Sequence, residues 1–288
     1  MTRTAAILVA ALAAPFAAQE LRLPNKPDSF HFAVIGDTGT GGRAEYEVGT
    51  RLAEFRRQFP FDTVVMMGDN IYGSQKADDF KKKFEEPYKT LLDAGVKFYA
   101  CLGNHDDPNQ RSYQLFHMGG ERYYTLEPHK GVEFFALDSN YMDRAQLDWL
   151  EKQLASSKAA WKIVFCHHPL YSSGAKHGSD VELRNVLEPL FEKYHVALAL
   201  AGHDHFYERI KPQHGIYYFV EGGSAKLRVG NVRRAEFAAA SFDTDNSFLL
   251  VEIEGDELHF QAISRAGKTI DAGSFQRPGT NGATRSSQ

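Results

Sequence analysis

Short, nearly continuous apolar runs recur through the middle of this chain of 288 residues, and most of them stop at a cluster of Asp, Asn or His. Six of these runs predict β-strands, at residues 31–36, 63–68, 97–102, 133–137, 162–166 and 196–201. Strands without polar alternation are typical of a sheet that is covered on both faces. The pattern therefore predicts a buried sheet with helical crossovers, which is an α/β fold.

Two apolar stripes with helical spacing lie between the predicted strands. The first is Leu147, Leu150 and Leu154, behind Asp143 and with Gln146 placed as in a capping box. The second is Leu183, Val186, Leu187 and Leu190, after Ser179 and Asp180. We expect both stripes to face the core.

The pattern changes after residue 215, where strand follows strand at residues 216–221, 248–253 and 258–262. No linker, low-complexity block or internal repeat divides the chain, so we predict one domain over residues 28–276. The segment 277–288 lacks apolar periodicity, which predicts a flexible tail.

The N-terminal residues 1–20 predict a signal peptide. Arg3 precedes an Ala-rich apolar run that is followed by small residues. The run is shorter than the about 20 apolar residues that span a bilayer. We therefore expect export, to the medium or a periplasm, and no membrane span.

Charge and cysteine content exclude two classes of protein. Lys and Arg number 33 against 37 Asp and Glu, a net charge of -4, so no bulk positive field attracts nucleic acid. Two cysteines, Cys101 and Cys166, are too few for a disulfide framework. The sequence leaves the oligomeric state open.

Polar clusters follow five of the predicted strands. They are Gly36-Asp37, Gly68-Asp69-Asn70-Ile71-Tyr72, Gly103-Asn104-His105-Asp106, His167-His168 and Gly202-His203-Asp204-His205. Because ligands bind at the carboxyl ends of strands in such sheets, we expect these side chains to meet.

The donor types at these strand ends predict a metal site. They are the oxygens and imidazoles of Asp37, Asp69, Tyr72, Asn104, His167, His203 and His205. This set suits iron, manganese or zinc. Seven ligands are too many for one tetrahedral ion, so we predict two ions that share the carboxylate of Asp69, an arrangement used for two-metal hydrolysis.

We expect two groups of basic residues to be exposed to solvent rather than to belong to a functional site. Lys81-Lys82-Lys83, after Asp78-Asp79, predicts a solvated helix face. Lys226, Arg228, Arg233 and Arg234 predict a solvated loop rather than an anion site.

The motifs GDTG, GDNIY, GNHD, VFCHHP and GHDH, with their spacing, resemble those of the calcineurin-like metallophosphoesterases over residues 30–265. Within that superfamily the chain is most similar to the purple acid phosphatases of the small, tartrate-resistant type. Gly39 stands where the superfamily pattern has a histidine, and Tyr72 stands three residues after Asp69, as in the purple subgroup. The resemblance implies an αββα sandwich of two mixed β-sheets flanked by helices, with the active site at the carboxyl ends of the strands.

The resemblance also implies which residues bind each ion. It makes Asp37, Asp69, Tyr72 and His205 ligands of Fe(III). It makes Asp69, Asn104, His167 and His203 ligands of a divalent neighbour, Fe(II), Zn(II) or Mn(II). His167 is preferred over His168 by its register from Val164.

Three further residues receive catalytic roles by resemblance. His105 matches the histidine that contacts substrate phosphate and assists protonation, and Asp106 is expected to hold its imidazole. His177 resembles a second histidine at the mouth of the pocket.

The implied activity is hydrolysis of phosphate monoesters at acidic pH by attack of a metal-bound hydroxide. Two alternatives stay open: a phosphodiesterase or nucleotidase that uses the same site, and a secreted metal- or phosphate-binding protein without turnover. Tyr72 favours monoesters. A zinc-only enzyme would be colourless, because visible absorption needs a phenolate on ferric iron.

Overall fold

Two mixed β-sheets lie face to face with helices on their outer sides in the computed structural model, which describes residues 20–279. The strands are β1 Phe30–Ile35, β2 Thr63–Met66, β3 Lys97–Ala100, β4 Tyr124–His129, β5 Val132–Ala136, β6 Trp161–Phe165, β7 Leu198–Ala201, β8 Tyr207–Gln213, β9 Ile216–Glu221, β10 Ala238–Phe242, β11 Ser247–Glu254, β12 Glu257–Ser264 and β13 Thr269–Gln276. The α-helices are α1 Arg43–Arg56, α2 Ala77–Phe80, α3 Lys89–Asp93, α4 Arg144–Ser156 and α5 Val181–Lys193. A π-helical turn spans Lys81–Glu85, and 3₁₀ turns span Pro108–Ser112 and Gln114–Phe116.

The parallel strands lie side by side in each sheet, at one end of the first sheet and in the middle of the second. The first sheet runs β13-β12-β11-β1-β2-β3, with β1, β2 and β3 parallel. The second runs β10-β8-β9-β7-β6-β5-β4, with β5, β6, β7 and β9 parallel. The antiparallel strands of the C-terminal part adjoin the parallel ones on one side, β11 to β13 in the first sheet and β8 and β10 in the second.

Alternate residues of each central strand serve different cores. In β1, Phe32 and Val34 face the core between the two sheets, while Ala33 and Ile35 pack with α1 residues on the outer side. In β6, Val164 faces the core that contains Leu150 of α4 and Leu187 of α5. Both faces of the central strands are therefore buried, which explains their lack of polar alternation.

The predicted fold class is confirmed, and each of the six predicted strands appears, as β1, β2, β3, β5, β6 and β7. Two details of the predicted helices are wrong. Gln146 closes no capping box, because its side chain bonds the backbone of Asp138 and Tyr141 instead. Val186 is 42% exposed and lies outside the core-facing stripe of α5.

The predicted signal peptide at residues 1–20 lies outside the described residues except for Glu20, as does the tail from residue 280 onward. None of the helices between residues 20 and 279 has the length and apolar character that a membrane crossing requires. Both cysteines are buried free thiols.

Candidate metal centre

The seven predicted ligands meet at the carboxyl ends of strands from both sheets. Asp37 follows β1, Asp69 and Tyr72 follow β2, and Asn104 follows β3 in the first sheet. His167 follows β6, and His203 and His205 follow β7 in the second. The site therefore lies where the ends of the two sheets adjoin.

One group of donors surrounds the carboxylate of Asp37. Its Oδ1 accepts a hydrogen bond from the Tyr72 hydroxyl at 2.9 Å and lies 3.3 Å from Nε2 of His205. Its Oδ2 accepts the backbone N–H of His203 at 2.8 Å. Oxygens of Asp37 and Asp69 and a ring nitrogen of His205 all lie within 4.8 Å of one another, which is compact enough for one ion.

A second group of donors surrounds Nε2 of His167. Nδ1 of His203 and Oδ1 of Asn104 each lie 3.0 Å from this atom. The His167 side chain is fully buried, whereas Asn104 is exposed. This group therefore opens toward solvent on the side of Asn104.

Asp69 lies between the two groups. Its Oδ1 is 3.5 Å from Nε2 of His167, and its carboxylate also clusters with Asp37 and His205. The backbone N–H of His105 donates to the same Oδ1 at 2.9 Å. Of the described side chains in the cluster, Asp69 is the one placed to serve two ions.

The hydrogen bonds of the His167 ring show that the donors around its Nε2 suit a cation. Nδ1 lies 2.8 Å from the Met67 carbonyl, which can only accept, so Nδ1 carries the proton and Nε2 has a lone pair. That lone pair faces the oxygen of Asn104, which is also an acceptor. A cation between these two acceptors would satisfy both, and an imidazole fixed by a backbone carbonyl is the usual metal-bound form.

The electrostatics of the site also fit cations. Burial raises the pKa of Asp37 well above its usual value, and the negative charge of Asp69 adds to the rise. Burial, with the neighbouring imidazole of His167, lowers the pKa of His203 to about 2. Burial, with the charges of Arg228 and Lys226, lowers that of His205 to about 4. Neutral imidazoles beside crowded carboxylates are suited to bind metal ions.

Three candidate ligands have left-handed backbone conformations, with φ of 53° at Asp37, 50° at Asp69 and 68° at His203. Such conformations cost about 1–3 kcal/mol each and cluster at functional sites. Gly103 lets these turns pack closely, because a Cβ at this position would collide with the backbone nitrogen and Oδ1 of Asp69. The polar turns after the strands are thus held in place by neighbouring turns.

The pairing of Gly39 with Tyr72 has a steric cause. A Cβ at Gly39 would overlap the backbone of Asn70 and Ile71, and the Gly39 carbonyl accepts the N–H of Tyr72 at 2.8 Å. Lys83 donates to the Tyr72 carbonyl at 2.7 Å. Its side chain is 12% exposed, so the prediction of a solvated face is wrong for this lysine.

His105 and Asp106 have different surroundings. His105 is exposed, and its ring lies 5.1 Å from that of Tyr72. Within the described chain, the Asp106 carboxylate accepts five hydrogen bonds, from Asn70, Ile71, Gly103 and Gln110. Asp106 therefore braces the loops that carry the ligands, and the expectation that it holds the His105 imidazole is corrected.

His177 and His168 both lie against the ring of His203. The ring of His177 is 4.1 Å from that of His203, and the ring of His168 is 4.5 Å from it. Nδ1 of His168 lies 2.8 Å from the hydroxyl of Ser139. A cavity of about 470 Å³ adjoins Asn104 and His168.

Buried Asp204 holds the loop that carries His177. The sequence did not indicate this supporting role of Asp204. Its Oδ2 accepts hydrogen bonds from the Ser172 hydroxyl at 2.5 Å and the Gly178 N–H at 3.0 Å. Its neighbours in sequence, His203 and His205, are candidate ligands. Because Asp204 lies between His203 and His205 in the chain, its hydrogen bonds connect the candidate metal centre to the 172–178 loop.

Lys226 and Arg228 are half-buried and their backbone bonds Asp37 and His205, so the expectation of a solvated loop is wrong for both. The Lys226 ammonium is 3.8 Å from the centre of the Tyr72 ring. Arg233 and Arg234, by contrast, are exposed as predicted.

The sequence is similar to a known protein family and to several characterised acid phosphatases. Residues 30–207 match the sequence profile described as Calcineurin-like phosphoesterase. The chain is 27% identical to tartrate-resistant acid phosphatase type 5 of Rattus norvegicus, over 86% of this chain and 91% of that protein. It is 29% identical to purple acid phosphatase 17 of Arabidopsis thaliana, over 73% of this chain and 72% of that protein.

Solved structures share the fold. Purple acid phosphatase PPD1 from yellow lupin seeds superposes with a TM-score of 0.71 at 18% identity, covering 88% of this chain and 55% of that one. GAP50, the anchor in the inner membrane complex of Plasmodium, gives 0.74 at 20% identity, covering 86% and 89%. Since a phosphatase and an anchor protein both share this fold, activity has to be inferred from the residues of the site rather than from the fold.

Proposed function

The chain belongs to the calcineurin-like phosphoesterase family, and from this premise we propose that it is a dinuclear-metal phosphatase that hydrolyses phosphate monoesters. The membership confirms the resemblance that the motifs indicate. One observation carries the proposal: buried Asp69 lies between the donors around Asp37 and those around Nε2 of His167.

The donor chemistry supports a division between two ions. Asp37, Tyr72 and His205, with Asp69, offer carboxylate and phenol oxygens that suit Fe(III). Asn104, His167 and His203, with Asp69, suit Fe(II), Zn(II) or Mn(II). When bound, the ions supply charge that neutralises phosphoryl oxygens and acidifies water, ferric iron more than zinc, so we place the working pH in the acidic range.

The chain's own side chains orient the substrate and move a proton. His105 is exposed beside Tyr72, and its backbone N–H is fixed on Asp69, so its imidazole is placed to bind a phosphoryl oxygen and to protonate the leaving oxygen. His177, held against His203 by the loop that Asp204 braces, is placed at the opposite side of the same opening.

Metal analysis, colour and turnover of the purified protein test the proposal together. We expect two ions per chain, visible absorption from a phenolate on ferric iron, and hydrolysis of an aryl phosphate much faster than of a bis-aryl phosphate. The Tyr72→Phe variant should lose the colour. A faster diester reaction would favour the phosphodiesterase alternative, metal without turnover would favour the binding protein, and a single ion per chain would contradict the proposal.

We also propose that the protein is exported, on the support of the apolar N-terminal sequence. Fractionation of the native host with an antibody tests this. Recovery in the cytosol at full length would contradict it.

A further inference from the structure

We propose that Lys226 and Arg228 form an anion subsite beside the metal centre, which receives a carboxylate carried by the leaving group of the phosphate ester. The inference rests on the proposed phosphatase function and names a substrate class for it: phosphate monoesters of 2-hydroxy acids.

The backbone of residues 224–228 fixes the subsite to the ligand loops. The N–H of Ser224 donates to the Gly36 carbonyl at 3.2 Å, and that of Lys226 donates to the Asp37 carbonyl at 3.1 Å. The N–H of Arg228 donates to the His205 carbonyl at 3.0 Å. Both basic residues are therefore anchored to metal-ligand loops, unlike residues of a free loop.

Within the described part of the chain, the two cations have no partner of opposite charge. Neither Lys226 nor Arg228 forms an ion pair with a described residue, whereas twelve other lysines and arginines do. Nη1 of Arg228 is buried and has no hydrogen-bond partner among residues 20–279. A buried guanidinium nitrogen without an acceptor costs free energy, so this geometry indicates a position for an anionic ligand atom.

The location of the pair points to the substrate. Lys226 lies over the Tyr72 ring, and the charges of both residues act on His205. The planar guanidinium of Arg228 is suited to bind two carboxylate oxygens side by side. An anionic group next to the ester oxygen would remain close to the metal centre when the phosphoryl group is bound.

The cavity next to Asn104 and His168 is unsuited to a second anion. The cavity of about 470 Å³ is lined by Asp138 and Asp180, together with Asn140 and His168, and by no lysine or arginine. A carboxylate placed there would meet like charge. The substrate's second negative charge is therefore directed toward Lys226 and Arg228.

A matched pair of substrates tests the subsite. Glycerol 2-phosphate and 2-phosphoglycerate differ only in that a carboxylate of the second replaces a hydroxymethyl group of the first. Hydrolysis of either adds one water across the phosphorus–oxygen ester bond and releases orthophosphate and the alcohol. For the metal-loaded wild-type protein we expect kcat/KM to be about tenfold or more higher for 2-phosphoglycerate, as for a charge-assisted hydrogen bond.

The variants Arg228→Gln and Lys226→Gln should lower kcat/KM for 2-phosphoglycerate about tenfold more than for glycerol 2-phosphate. Arg233→Gln is the matched control, because the Arg233 guanidinium bonds carbonyls of its own exposed loop. It should leave the ratio unchanged. Equal losses for both substrates would mean that the cations contact only the reacting phosphate and would overturn the proposal, as would an unchanged ratio.

A binding measurement separates failure of the subsite from failure of the proposed function. Calorimetry of the metal-loaded protein with phosphonoacetate and with methylphosphonate, which lacks the carboxylate, needs no turnover. We expect tighter binding of phosphonoacetate by the wild type and loss of that difference in Arg228→Gln. Equal affinities in the wild type would overturn the subsite, whereas absence of hydrolysis with a preserved difference would overturn only the phosphatase.

Discussion

His167 and His203, from the ends of β6 and β7, face each other through ring nitrogens 3.0 Å apart. Because Nδ1 of His167 donates to the Met67 carbonyl, its Nε2 lone pair faces His203, and such a pair of imidazoles is suited to bind a metal ion. The surrounding chain holds this pair beside the carboxylates of Asp37 and Asp69.

The Asp69→Ala substitution should deplete both ions. Because this carboxylate lies between the two donor groups, we expect a loss of activity greater than the about 10- to 100-fold cost of removing a group that only supports a ligand. Elemental analysis and kcat/KM for an aryl phosphate measure both effects. Asp148→Ala, at an exposed helix position, is the control, and full activity of Asp69→Ala would refute the bridging role.

The Gly39→Ala substitution should destabilise the fold and displace Tyr72. Its methyl group would overlap the Asn70 backbone, and overpacking of this kind costs about 1–3 kcal/mol. Urea unfolding and the visible spectrum of the iron-loaded protein measure the two effects. Gly42→Ala in the same loop meets no backbone and should be tolerated. Equal stability of the two variants would contradict the steric argument.

The His105→Ala substitution should lower kcat about 100- to 10,000-fold, the range for loss of a general acid. Metal content should stay at the wild-type level, because only the backbone N–H of His105 contacts Asp69. His259→Gln, on β12, serves as the control. A parallel loss of metal would show that the His105 side chain acts through the ligands instead.

The effects of Asp204→Asn and His177→Ala should not add. Asp204 bonds Ser172 and Gly178 and so keeps His177 against His203. Once His177 is absent, weakening that loop should cost little further activity. A double-mutant cycle on kcat/KM is expected to show a coupling of about 0.5–3 kcal/mol. Additive losses would separate Asp204 from His177.

Buried Glu221 should make stability depend on pH. Burial, aided by the charge of Asp37, raises its pKa from 4.5 to about 8 against the hydrogen bonds from Ser247 and Ser224. The raised pKa means that the folded state binds the proton more tightly, so the stabilisation is complete below about pH 4.5 and is lost as the pH rises through about 8.

The Glu221→Gln variant cannot ionise. Its free energy of unfolding, relative to that of the wild type, should therefore increase by a few kcal/mol as the pH rises from 5 to 9. Urea unfolding of both proteins at each pH measures the difference. Glu121→Gln, at an exposed position, should show no such trend. A constant difference between wild type and Glu221→Gln would contradict a raised pKa.

The meeting of the candidate ligands was predictable because strand ends are encoded locally. An apolar run that stops at Gly68-Asp69 or Gly202-His203 indicates both a buried strand and the edge where it ends. Parallel pairing then brings distant residues together without further information. The metal-site prediction depended on this regularity.

The supporting contacts were not predictable, because they join segments far apart in sequence. Asp204 and Ser172 lie 32 residues apart, and Asp106 reaches Asn70 over 36 residues. Lys226 resembles any solvated lysine until the fold places it over Tyr72. Strand β4, with partly exposed residues and a proline, lacked the buried pattern that identified its neighbours.

The strap at residues 224–228 ties the turn after β1 in one sheet to the turn after β7 in the other. The spacing between the donors around Asp37 and those around Nε2 of His167 consequently depends on how the two sheets pack against each other. Substitutions deep among the aromatic rings between the sheets, far from any reacting atom, should alter reactivity by shifting that packing. Gentle heating should release metal before secondary structure melts.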